Sequence, residues 1–195
     1  MDIMRRGENV KKETNMNLPN KLTIFRMILI IPFVIIELTG CLGDYSGLTA
    51  LIIFVVASLT DLLDGKIARK YNLITNFGKF MDPLADKVLV VSAMICLLVN
   101  KPELLPAWAL IIILAREFII SGFRLVASDA GIVIAASMWG KVKTVSQMVM
   151  VIMMLIDINY PVYILLTKIV MYVAVILTVV SLVDYIYKNK EVLGD

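Results

Sequence analysis

Four aspartates carry the most specific chemistry in this chain. Asp61 and Asp64 are spaced i,i+3 and Asp82 and Asp86 i,i+4, all between long apolar runs. On helices, each pair projects from one face. Two helices that each present two carboxylates can form an oxygen-rich cage suited to hard divalent cations. An ionised carboxylate in apolar surroundings costs about several kcal/mol unless it is paired or solvated, so the four repel one another unless cations lie between them. Gly65, Ala68 and Gly78 keep the neighbourhood small, which lets another backbone or a ligand approach closely. The plainer alternative is a loop of solvated mixed charge, supplied by Lys66, Arg69 and Lys70. That alternative leaves the helical spacings and the small residues unexplained.

A second group is basic. Arg116 and Arg124 are eight residues apart, which puts them within about 80° of one helical face. Lys141 and Lys143 follow across a short connection. Four cations converging there can hold a phosphate dianion, with arginine supplying a bidentate fork. The competing reading is anchoring to anionic lipid headgroups, with Arg116 partly paired to Glu117.

The elements that must position these groups are apolar. The chain has 195 residues, 60% hydrophobic and 18% charged, with a mean hydropathy of +0.89. A soluble domain is usually about 45–50% apolar and about 25% charged, so the composition points to a membrane protein. Six apolar runs, at about 22–38, 47–63, 83–99, 106–126, 132–156 and 161–186, are each long enough or nearly so to cross ~30 Å of hydrocarbon as a helix. Short turns separate them and no repeat or linker divides them, so one all-α integral membrane domain over 17–195 is expected. Residues 1–16 form a polar extension without the apolar stretch of a signal peptide.

Lys and Arg concentrate before the first run, between the second and third, between the fourth and fifth, and after the sixth. The other connections hold Asp44, Glu103 and Asp157 against Lys101. The bias predicts six transmembrane helices with both termini cytoplasmic and the aspartates facing the cytoplasm. There is no histidine, which excludes imidazole as base, nucleophile or ligand. Cys41 and Cys96 match neither a zinc site nor a disulfide framework. No basic, aromatic-interleaved patch suggests nucleic acid.

The pattern Asp61-x2-Asp64-Gly65-x2-Ala68-Arg69-x8-Gly78-x3-Asp82-x3-Asp86 resembles the signature of the CDP-alcohol phosphotransferases at all eight fixed positions. The resemblance extends over essentially the whole chain from Asn17 onward. It implies transfer of a substituted phosphoryl group from a CDP-linked donor to an alcohol, with release of CMP. It also implies a divalent metal, Mg²⁺ or Mn²⁺ and usually two ions, on Asp61, Asp64, Asp82 and Asp86, with Asp86 also the base for the acceptor hydroxyl. Gly65 and Ala68 would make room for the nucleotide, Arg69 would pair with donor phosphate, and Gly78 would let the nucleotide lie against backbone.

The segment from Asn17 to Arg26 is similar to the start of the first helix in phosphatidylglycerophosphate synthases, where a Pro-Asn-x-x-Thr-x-x-Arg pattern borders the nucleotide. Asn20 and Thr23 become donor contacts, against a plainer role in helix capping. The strings around Arg116, Arg124, Lys141 and Lys143 also look like that subfamily. Its acceptor, sn-glycerol 3-phosphate, carries the dianion that the basic group suits, and its donor is CDP-diacylglycerol. Related enzymes with phosphatidylglycerol (giving cardiolipin) or inositol phosphate as acceptor are the nearest alternatives. A divalent-cation transporter is the remote one, because it predicts acidic residues along the whole membrane depth. A homodimer is expected from the resemblance alone.

Overall fold

A computed structural model of the chain describes residues 17–71, 75–129, 131–132, 134 and 137–190, without the side chains of Leu62, Ala68, Arg69, Asn76 and Lys79. The described residues are helical: α1 (Leu18–Thr39), α2 (Ser46–Lys70), α3 (Asn76–Asn100), α4 (Ala107–Asp129), α5 (Met138–Ile156) and α6 (Pro161–Lys188). A single 3₁₀ turn, Gly43–Tyr45, leads into α2. The polar extension at 1–16 lies outside the described residues.

Local sequence sets the helix ends. Asn17 caps α1 by accepting the Asn20 backbone N–H at 3.1 Å, Thr75 caps α3 through Gly78, and Ser137 caps α5 through Gly140. Each cap satisfies a backbone donor that the first helical turn leaves without a partner. Gly40 ends α1 at φ +60°, a left-handed conformation that glycine adopts without strain. Two boundaries differ from the sequence expectation. The fifth helix begins at Met138 rather than at 132, because Ser137 supplies the cap. Helices α2 and α3 run past the apolar stretches and through the acidic segment, leaving only 71–75 between them.

Among the described residues, four segments are long and apolar enough to cross a membrane: Leu18–Thr39, Gly43–Ile67, Met138–Ile156 and Pro161–Lys188. The charged residues Asp82, Asp86, Arg116, Glu117 and Arg124 lie on the other two helices, α3 and α4. Large apolar side chains such as Ile31, Ile111, Leu125 and Ile176 are at least 60% exposed. Contiguous apolar exposure on this scale marks a surface that meets lipid or protein rather than water.

Inside, Phe33, Phe54, Leu97, Ile113, Met150 and Met154 are buried. Helix α1 packs chiefly on α2 and α3, and α6 packs on α4 and α5. Short connections make successive helices antiparallel, so the N-termini of α1, α3 and α5 share one end with the C-termini of α2, α4 and α6. At the opposite end, Asn100 donates to the Glu37 carbonyl oxygen at 2.6 Å. There too Lys101 bonds the Met154 carbonyl at 2.7 Å and Asp157 at 2.9 Å. This clasp ties the α3–α4 connection to α1 and α5, at the end of the bundle opposite the aspartates.

Candidate active site

The helix pairing brings the two acidic pairs together. Arg26, on α1, is fully buried and donates to both members of the first pair, to Asp61 at 2.5 Å and to Asp64. One guanidinium thus bridges carboxylates one turn apart on α2, the planar fork geometry that arginine supplies and lysine does not. Thr23, one turn before Arg26, donates its hydroxyl to Asp82 at 2.6 Å. Helix α1 is therefore the strut between α2 and α3. Asp64 lies in the repulsive field of Asp61 and Asp82, and Asp86 in that of Asp61, so the four carboxylates form one electrostatic cluster.

Asn20 and Gly78 meet at the α1–α3 crossing. Asn20 is buried and its side-chain oxygen accepts from the Thr75 hydroxyl at 3.0 Å. A Cβ at Gly78 would lie 3.1 Å from that oxygen and 3.3 Å from the Thr75 hydroxyl. The small residue here admits a neighbouring helix. Gly65 is half-buried on α2. The side chains of Ala68 and Arg69 lie outside the described residues, although both positions are in α2.

Among the described residues, no three acidic or sulfur side chains converge closely enough to share one ion while Arg26 holds Asp61 and Asp64. The donor set nevertheless suits a hard divalent cation: four carboxylates, with two oxygens already converging on a cationic group.

The basic residues separate into two settings. A cavity of about 460 Å³ opens beside the acidic cluster, with Asp86 and Lys87 on one wall and Arg116, Arg124 and Lys141 on the other. Arg116 is buried; it donates to Glu117 at 2.9 Å and to Ser181 at 2.5 Å, while its Nε has no partner among the described residues. Arg124 and Lys141 are exposed, and Arg124 lies over the Tyr185 ring at 5.8 Å. Lys143 is different. It is buried, its ammonium is bound to Glu117, and it lines a smaller recess rather than the large cavity. The expected convergence of four cations is thus three around one cavity, with the fourth neutralised. Glu117 is the hub of this arrangement, accepting from Arg116 and Lys143 with the same oxygen.

Sequence reasoning gave no individual role to Arg26, Lys87, Ser121 or Ser181. Arg26 had a signal, because it falls one turn after Thr23 on the same face. Lys87 directly follows Asp86 and binds the Ser121 hydroxyl, and nothing in the spacing linked it to α4.

An apolar bundle that gathers paired aspartates and a basic cavity at one end defines a helical membrane enzyme of phosphoryl-group chemistry. The sequence profile described as CDP-alcohol phosphatidyltransferase matches residues 16–180, and the chain belongs to that family. It is 45% identical over 190 residues to the CDP-diacylglycerol–glycerol-3-phosphate 3-phosphatidyltransferase of Bacillus subtilis, covering 91% of this chain and 97% of the relative. It is 40% identical over 182 residues to the Haemophilus influenzae protein of the same name, covering 92% and 96%.

Proposed function

We propose that the chain transfers the phosphatidyl group of CDP-diacylglycerol to sn-glycerol 3-phosphate, giving phosphatidylglycerophosphate and CMP. The observation that carries this reading is the cavity that joins Asp86 to Arg116, Arg124 and Lys141. It pairs a carboxylate able to take a hydroxyl proton with cations suited to a phosphate dianion. Relatives over nearly the full length that are named for the same reaction support it.

In this mechanism the acceptor phosphate is held by Arg124, Lys141 and the free edge of Arg116. Its primary hydroxyl then points to Asp86, which takes the proton. The oxygen attacks the phosphorus that carries diacylglycerol, the bond from that phosphorus to the CMP oxygen breaks, and CMP leaves with the electron pair. Asp61, Asp64, Asp82 and Asp86 would hold Mg²⁺ or Mn²⁺, as two ions, which would supply positive charge to offset the negative charge of the donor pyrophosphate. Asn20, Thr23, Gly65, Ala68, Arg69 and Gly78 border the donor nucleotide in this reading, with the lipid tails between helices. Lys143 keeps Glu117 neutralised so that it does not repel the acceptor. The N-termini of α3 and α5 add favourable potential for anions.

Soluble glycerol 3-phosphate and CMP require an aqueous face, and the Lys/Arg bias supports a cytoplasmic one. All six helices then cross the membrane, both termini are cytoplasmic, and the protein works in the cell membrane as a homodimer.

The test is CMP release by purified protein with CDP-diacylglycerol and each acceptor in turn. Turnover with glycerol 3-phosphate is expected. Turnover with phosphatidylglycerol or inositol phosphate, and none with glycerol 3-phosphate, overturns the assignment. With Asp86→Asn at saturating metal, CMP release should fall about 10²–10⁴-fold, the usual contribution of a positioned base.

A further inference from the structure

The smaller recess adjoins the large cavity. The two share Asp86, Lys87, Glu117 and Thr144 in their walls. The recess is about 50 Å³ and extends between α3, α4 and α5. At roughly 15 Å³ for each water-sized group, it has room for about three such groups.

Its walls change character with depth. Asp86, Glu117 and Lys143 form a charged rim. One helical turn further along each helix stand Val90 on α3, Ile113 on α4 and Gln147 on α5. Val90 and Ile113 are apolar, so Gln147 brings an amide to an otherwise apolar level. Gln147 is only 3% exposed, and its amide nitrogen has no hydrogen-bond partner among the described residues. A buried donor without a partner loses its hydration with nothing in return, and Leu or Met would fill the same place on α5 without that cost. The amide is explained if its partner is brought by a ligand.

Resting on the acceptor reading above, we infer that Gln147 is a specificity residue: its amide nitrogen donates to the second hydroxyl of a small phosphorylated polyol seated in the recess. The acceptor phosphate then lies in the wide cavity, the attacking hydroxyl at Asp86 on the shared wall, and the spare hydroxyl one turn deeper at Gln147. The recess admits a hydroxyl-bearing carbon or two. It excludes a six-carbon ring and any acceptor with an acyl chain on that hydroxyl.

The experiment compares two acceptors, sn-glycerol 3-phosphate and 1,3-propanediol monophosphate, which lacks the second hydroxyl. They are assayed by CMP release with the full chain in lipid–detergent micelles. The wild type is expected to prefer glycerol 3-phosphate by about tenfold in kcat/KM, the effect of one buried hydrogen bond. Gln147→Met keeps the volume and removes the donor. It is expected to bring that preference close to unity, through a higher KM for glycerol 3-phosphate and an unchanged value for the deoxy acceptor.

A merely structural role for Gln147 predicts equal losses on both acceptors with the tenfold preference intact, and that result overturns the inference. So does a wild type that uses the two acceptors equally well, whatever becomes of the variant. If the wild type turns over neither but consumes another phosphorylated alcohol, the acceptor reading itself fails, a result distinct from both.

Discussion

Arg26 does for Asp61 and Asp64 what a bound cation would do: it holds two carboxylates together inside the bundle. Removing one partner of such a pair is far more damaging than the pair is worth, because the stranded charge stays buried. Arg26→Met should therefore lower stability by about 3 kcal/mol in chelator, measured by thermal unfolding in detergent. Added Mg²⁺ should recover more of the unfolding midpoint in the variant than it adds to the wild type, since the ion would then take over the bridging role. Equal shifts in both proteins would separate Arg26 from the metal site. The exposed cations make a different kind of contact. Arg124→Ala and Lys141→Ala should each raise KM for glycerol 3-phosphate about tenfold while leaving the KM for CDP-diacylglycerol unchanged, as steady-state CMP release would show. Lys143→Ala should behave otherwise, destabilising the protein through the stranded Glu117 carboxylate rather than only weakening acceptor binding.

At the scale of elements, α1 is the part that gives the acidic stretch its shape. Thr23 reaches α3 through Asp82, Arg26 reaches α2 through Asp61 and Asp64, and Asn20 reaches the start of α3 through Thr75. The close approach at Gly78 makes these contacts possible. In an exposed helix interior, Gly→Ala stabilises by about 1 kcal/mol. At Gly78 the sign should reverse, because the new Cβ would sit 3.1 Å from Asn20 and 3.3 Å from Thr75. Gly78→Ala should lower both the unfolding temperature and CMP release, and Gly78→Val should do so more strongly. A stabilised and fully active Gly78→Ala would show that the helices part easily. Capping also belongs to this scale. Ser137 decides that α5 begins beside the cavity, and so places Lys141 and Thr144 on its wall.

For the whole molecule, the two ends of the bundle are chemically distinct. One end gathers the aspartates and the basic cavity; the other is closed by Lys101, Asp157, Asn100 and the Glu37 backbone. Cys41 is exposed just beyond the far end of α1, whereas Cys96 is buried. This provides a native test of orientation. A membrane-impermeant maleimide applied to intact cells should label Cys41 and leave Cys96 unmodified, if the active-site end faces the cytoplasm. Labelling of Cys41 only in inverted vesicles would reverse the proposed topology.

Six helices, the pairing of aspartates on two of them and the family were all legible in the chain, because hydrophobic period, short turns and spaced carboxylates are local properties. The same locality explains the caps at Asn17, Thr75 and Ser137. What each charge does was not legible. Arg116, Arg124, Lys141 and Lys143 look alike as a string of cations. Only packing decides that Lys143 is spent on Glu117, that Arg116 is half spent on Glu117 and Ser181, and that Arg124 and Lys141 remain exposed on the cavity wall. Arg26 and Gln147 show the same division. Each reads as one polar residue in an apolar helix, and its burial, partners and adjoining space depend on residues up to dozens of positions away. The chain by itself determined which groups are present and at what helical spacing. The tertiary structure decided which of them are neutralised, because the strength of a charge depends on its distance from other charges and from water.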